Sequence, residues 1–272
     1  MKKTIVAVLS ALLMVGCNAH LVEPVQGSKE VTFHVYEQEA MTRAALADAC
    51  SNLNYYRYVG GQLMNSIAQT SADDDFGTIT DKMDYGTHEL CFIGHKSGSV
   101  TLTDGVASFD KVGDTFSYYA SVVVDEDSDP SMAISMPRRV AKFELVAADA
   151  LPATLSTVEV TITGASTTLD VKSGVGGAVA TQTKTISVPA SNIGKSGCNF
   201  GSYTFLPDGV EEVSVTYTFK DADGNTLAEH AFAEVPMQTN YITRYTGNAF
   251  SDDFAGSITA QSEWEGENDY TF

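Results

Sequence analysis

Apolar and polar residues alternate along this chain in short runs, with the two-residue period of a β-strand. The clearest run is residues 30–36, where Val31, Phe33 and Val35 share one face. Residues 53–59 are rich in aromatics, and residues 62–70 follow them across Gly60-Gly61, so the pair predicts a hairpin. A strand is predicted over 87–95 after the Asp84-Tyr85-Gly86 turn, with short ones over 100–102 and 106–109. Residues 115–124, TFSYYASVVV, give the strongest strand signal of this half. Residues 44–50 are Ala-rich and predict a short helical turn. No element is assigned to 77–83 or 131–136.

The acidic stretch 125–129 with Pro130 breaks the pattern, and a boundary is placed at Met136-Pro137. Beyond it the strand pattern resumes over 139–147, 158–163, 181–188, 203–206, 213–220, 226–235 and 256–264, while 241–247 is mixed. The glycine-rich loop 173–177 has neither the spacing of a phosphate loop nor a helix behind it, so it predicts a turn. Short strands punctuated by Gly, Asp and Pro, with almost no helical period, predict an all-β fold of two β-sandwich domains, 30–136 and 137–272.

The start of the chain has a different pattern. Residues 1–17 read MKKTIVAVLSALLMVGC: two lysines, an apolar run, then Gly16 before Cys17. A bilayer span takes about 20 apolar residues, so this run is too short to be one. It predicts an export signal over 1–16 that is cleaved before a lipidated Cys17, followed by a polar tether over 17–29.

Composition narrows the partners. The net charge is −19, and loss of Lys2 and Lys3 makes it −21. Such a surface repels nucleic acid and offers anionic lipid no basic patch, so the lipid on Cys17 would carry the membrane attachment. Cys50, Cys91 and Cys198 remain, and three cannot all pair within the chain. A Cys50–Cys91 bridge is open to them, and small buried thiols are the simpler reading.

No catalytic pattern stands out. The chain has no Gly-x-Ser-x-Gly, His-Glu-x-x-His or Cys-x-x-Cys, and its five histidines have no Ser or Asp partner at a meaningful spacing. His88, Cys91 and His95 invite a metal reading, but in a strand His88 faces away from the other two. Asp73-Asp74-Asp75 and 221–225 (DADGN) lack the spaced ligands of a calcium loop and predict turns. The acidic residues Asp252, Asp253, Glu263, Glu265 and Glu267 predict a solvated surface. Catalytic, cofactor and metal sites are therefore expected to be absent, as is a small-molecule substrate.

Several segments in order carry a resemblance: QTSADDDFG (69–77), YGTHEL (85–90), DTF (114–116), RVAK (139–142), ALPA (150–153), Leu169-Asp170 with the loop after it, Val235-Pro236 to Asn240, Thr243, and TGNAF (246–250). Together they resemble the FimB/Mfa2 family of Bacteroidetes fimbrial anchor and accessory subunits, over nearly all of the mature chain. The resemblance implies two tandem transthyretin-like β-sandwiches on an outer-membrane lipoprotein, displayed at the cell surface and joined to fimbrial subunits by strand donation. Cleavable subunits of that family are processed after an arginine. Arg43 is a possible counterpart, although cutting there would part the fold from Cys17. Residues 257–272 read as a final core strand or as a donor tail, and Trp264 favours the core. The rival reading is a surface adhesin or glycan-binding lipoprotein outside any fimbrium, with Tyr55, Tyr56 and Tyr58 as candidate sugar-stacking residues. Nothing in Asn18-Ala19-His20 marks the leaflet, so surface display rests on the resemblance.

Replacing Cys17 by Ala is expected to move the protein from the detergent phase to the aqueous phase on Triton X-114 partitioning. Retention in the detergent phase would remove the lipid-anchor reading.

Overall fold

The computed structural model describes residues 27–37, 43–251, 257–262 and 266–268. The export signal, Cys17, His20, Trp264 and most of the tether lie outside these residues. The chain is all-β. Its first half runs β1 (Ser28–Glu37), α1 (Arg43–Ala49), β2 (Asn52–Val59), β3 (Gln62–Thr70), β4 (Thr78–Asp84), β5 (Gly86–His95), β6 (Val100–Thr103), β7 (Val106–Phe109), β8 (Thr115–Val124) and β9 (Ser131–Met136). Strands β4-β1-β9 form one sheet and β3-β2-β5-β8 another. Val31, Phe33 and Val35 of β1 face Leu53 and Tyr55 of β2 and Leu90 and Phe92 of β5, all fully buried. The rings of Phe33, Tyr55 and Phe92 lie 5.0–5.5 Å apart, in the tilted and edge-on arrangements aromatic quadrupoles favour.

The second half contains β10 (Ala141–Ala147), β11 (Leu155–Ala165), β12 (Thr168–Asp170), β13 (Val175–Gly176), β14 (Ala180–Ser187), β15 (Cys198–Thr204), β16 (Glu212–Asp221), β17 (Thr226–Pro236), β18 (Ile242–Gly247), β19 (Ser257–Ser262) and β20 (Gly266–Asn268). The sheet β15-β10-β18-β19-β20 packs on β14-β11-β16-β17. Phe143 on one side meets Tyr217 on the other, Tyr245 beside it meets Phe232, and the Tyr217 hydroxyl donates to the Phe200 carbonyl at 2.7 Å. That bond satisfies the polar end of a buried ring. No helix among the described residues is long and apolar enough to cross a membrane.

A fifth sheet joins the halves. The β6–β7 hairpin pairs through β7 with β12, placing Ser108 opposite Thr168, Ala107 opposite Leu169 and Val106 opposite Asp170. This four-stranded sheet, β13-β12-β7-β6, covers the outer face of β5. As a result β5 is buried on both faces: Leu90 and Phe92 on the inner one, Cys91 and Ile93 on the outer. The passage 137–140 is also held. Arg139 N–H donates to the Thr115 carbonyl at 2.8 Å, and Arg138 Nε donates to Asp114 at 2.8 Å while its guanidinium lies 4.6 Å over Phe116.

Several elements differ from the pattern reading: β12 and β20 had no strand assigned, β13 lies in the stretch predicted as a turn, and β15 runs over 198–204 where 203–206 was predicted. For three others the reason is identifiable. β4 was hidden because its inward row is Ile79, Asp81, Met83, with a carboxylate in the middle. Arg57 of β2 answers it across the core: Nε donates to Asp81 at 2.6 Å, Tyr55 Oη at 2.9 Å and Asn65 Nδ2 at 2.9 Å. A fully hydrogen-bonded carboxylate can occupy an apolar position that periodicity would give to a hydrophobe. β9 is a short edge strand, parallel to β1, in which only Ile134 and Met136 are fully buried. The stretch 241–247 is a central strand, β18, flanked by β10 and β19. Its pattern is blurred because its inward row runs Thr243, Tyr245, Gly247, while on the other face Arg244 pairs with the buried Glu144 at 2.7 Å. The loop 173–177 owes its glycines to packing: a Cβ on Gly176 would sit 2.7 Å from the Leu206 carbonyl carbon.

Arg57→Ala leaves the Asp81 carboxylate buried at 5% exposure without its cation. The expected cost is about 3–5 kcal/mol. Lys220→Ala, which breaks the half-exposed pair with Glu159 at 3.1 Å, is expected to cost under about 1 kcal/mol. Urea unfolding followed by circular dichroism compares the two, and equal costs would show that the buried network contributes nothing special.

Candidate functional site

Strand register assembles a cleft at the junction of the two sandwiches. On the outer face of the β3-β2-β5-β8 sheet, Leu63 pairs with Tyr58, Tyr58 with Glu89 and Glu89 with Ser121. One step along, Tyr56 pairs with Cys91 and Cys91 with Tyr119. Directly paired residues share a face, so Tyr58, Glu89, Cys91 and Tyr119 line one cavity of about 220 Å³. Two hairpin turns border it, Gly60-Gly61 of β2–β3 and Asp104-Gly105 of β6–β7. All four of these residues have positive φ, from 51° to 81°, as two-residue hairpin loops of the primed type require.

The second half supplies the remaining wall. The Val171 N–H donates to the Gly105 carbonyl at 3.0 Å, and the Asp170 carboxylate accepts the backbone N–H groups of Lys172 and Ser173. That fixes the backbone of Lys172 at the mouth. Its Nζ lies 3.3 Å from Glu89 Oε2 and 5.2 Å from the centre of the Tyr119 ring. Tyr119 and then Glu89 hold the ammonium above its usual pKa. Burial pushes the Cys91 thiol up to about 12, and burial also raises Tyr58. The floor is therefore inert at neutral pH, and the charged groups sit at the rim.

The candidates from the sequence fall in separate places. Cys17 lies outside the described residues. Tyr55 is core, bonded to Asp81, whereas Tyr56 and Tyr58 are half-buried on the outer face. His88 faces inward, with Nδ1 3.5 Å from Arg57 and Nε2 2.7 Å from the Asp84 carbonyl. His95 faces outward, where Asn54 Nδ2 meets its Nε2 at 3.0 Å and burial lowers its pKa. Among the described residues no three His, Cys, Asp or Glu side chains are grouped to hold a metal ion. Cys91 carries a free thiol, so no Cys50–Cys91 bridge forms, and Cys50, Cys91 and Cys198 are all buried. Asp73 closes the turn after β3 by accepting from Thr70 N–H, and Asp221 accepts from Asp223 and Asn225 in the β16–β17 turn. Arg43 opens α1, and β19 lies antiparallel to β18 with β20 beyond it. Lys172 was missed in the sequence because its neighbours are brought to it by the β7–β12 pairing and no local pattern announces them.

Residues 70–272 match DUF6562, a family of unknown function, and the chain belongs to that family. No curated protein sequence matches it. Among solved structures, a candidate adhesin from Bacteroides ovatus is similar with a TM-score of 0.56 at 9% identity, over 89% of this chain and 96% of that one. A candidate polysaccharide-binding protein (DUF1812) from Bacteroides thetaiotaomicron gives 0.52 at 10% identity, over 88% and 98%. The fimbrial anchor protein Mfa2 from Porphyromonas gingivalis also matches, more distantly, with a TM-score of 0.45 at 11% identity over 89% and 100%. At these identities the likeness is one of fold.

Cys91, 1% exposed and with a raised pKa, is expected to resist iodoacetamide in the native protein at mildly alkaline pH and to react only on unfolding in urea. Mass spectrometry of the labelled peptides checks this, and ready native labelling would mean that the junction opens.

Proposed function

We propose that this protein is a non-enzymatic, lipid-anchored subunit of the outer membrane that anchors, caps or regulates a fimbrium by accepting a strand from a partner subunit. The observation that carries the reading is the free edge of β3. Its sequence, QLMNSIAQT, has no charge and no proline, and among the described residues β2 is its one neighbour in the sheet. From Asn65 to Thr70 the register with β2 is regular. Met64, the bulged residue before it, and Leu63 are each 52% exposed. Natural edge strands are commonly blunted by charges, prolines or a covering segment, and one without charge or proline is a template for another chain's strand. The export signal and lipid expected at Cys17 support an address outside the cytoplasm, and the similar folds of Bacteroides adhesins support the surface.

A second reading, a surface adhesin that is not built into a fimbrium, is favoured by the cleft at the junction. It needs no partner strand.

Leu63→Lys with Met64→Lys adds two charges to the edge without touching either core. If β3 accepts a strand, a fimbrial subunit co-purifies with the wild-type protein from solubilised cells, and its yield falls at least about tenfold with the double variant. If no fimbrial subunit co-purifies with the wild type and a deletion strain carries normal fimbriae, the fimbrial reading is wrong.

A further inference from the structure

We infer that the cleft between the β2–β3 turn, the β6–β7 turn and Lys172 is a binding site for one unit of a neutral saccharide. This rests on neither the lipid on Cys17 nor strand addition along β3. The site is built rather than incidental. Two tight turns with positive φ, a strand buried on both faces and a backbone hydrogen bond across the junction hold its walls. Its volume of about 220 Å³ has room for a single sugar ring.

The lining decides the ligand class by elimination. An apolar ligand would strip water from Glu89, Asp104 and Lys172 and return nothing. An organic cation would meet its natural place already filled, because Lys172 Nζ sits over Tyr119 and against Glu89. An anion would face the carboxylates of Glu89 and Asp104 with one ammonium to answer them, on a protein of net charge −19. What remains is an uncharged molecule with an apolar C–H face and several hydroxyls.

The cleft has both halves of that complement. Tyr58, half-buried, and Leu102 and Val171 beside it give an apolar wall. Glu89 and Asp104 accept hydrogen bonds and Lys172 donates them. The Lys172–Glu89 contact is loose, 3.3–3.4 Å between side chains 53% and 33% exposed. A ligand hydroxyl can share it without breaking a buried pair. Asp104 stands at the tip of its turn, exposed. Leu63, paired with Tyr58, continues the apolar surface out of the cleft, as a chain of sugars leaving the site would need.

The test uses the full chain in detergent with neutral gluco-, manno- and galacto-oligosaccharides and oligogalacturonate, measured by saturation-transfer NMR and calorimetry. At least one neutral series is expected to bind with oligogalacturonate weaker. Tyr58→Ala and Glu89→Gln should each weaken binding by about tenfold or more. Asp104→Asn, which keeps the turn, should weaken it as well, so a misfolded Tyr58→Ala does not leave the site unjudged; unfolding temperatures identify any such variant. Leu227→Ala, an exposed position on β17 in a sheet that does not line the cleft, should bind as the wild type does. The inference is overturned if no neutral series binds, if oligogalacturonate binds as tightly as the neutral sugars, or if folded Glu89→Gln and Asp104→Asn proteins bind unchanged. None of these outcomes bears on whether a fimbrial subunit co-purifies.

Discussion

Everything at the centre of this molecule depends on three residue pairs between β7 and β12. Tandem sandwiches joined by a simple linker move as independent bodies unless a large apolar interface holds them. Here a hairpin of the first half and one of the second complete a single sheet. That sheet buries Cys91 and Ile93 on the outer side of β5, and Phe109 meets Phe205 across it with ring centres 5.1 Å apart. Main-chain hydrogen bonds fix the register, and the apolar layer beneath gives the register its energetic weight. The cleft exists because of this joint: its floor belongs to one half and Lys172 to the other.

The fold was legible where a strand has one face in a core and nothing polar facing in. β1, β11 and β16 have that character, and alternation alone locates them. Periodicity fails where a core accepts charge. Asp81 in β4 interrupts the expected pattern, and it is answered by a charge on another strand, Arg57 of β2. The Arg57–Asp81 pairing across sheets leaves no trace in the sequence near either partner. β5 shows the converse effect. Its outer row is as apolar as its inner one, and a strand with two buried faces implies a third layer over an otherwise two-layer sandwich.

Part of the cleft was visible in the sequence and part was not. The tyrosines of 55–58 stood out, but alternation divides them: Tyr55 goes into the core and Tyr58 into the cleft. Glu89 and Tyr119 needed the register of β2, β5 and β8, which no single segment determines. Lys172 needed the fold of the whole chain. The histidines and the aspartate runs that drew attention as metal ligands are spread over opposite faces and surface turns, where hydrogen bonds to backbone groups account for Asp73 and Asp221.

The central claim is that the joint, and not a linker, makes the two sandwiches one body. Hydrogen exchange resolved along β7 and β12 in the native protein measures it most directly, because main-chain protection reports the pairing itself. The account predicts that the paired amides of β7 and β12 exchange as slowly as those of β5 and β10 and lose protection together with them as urea is raised. Fast exchange at β7 and β12 while both cores stay protected would contradict it, and would leave the cleft as a chance contact between two independent domains.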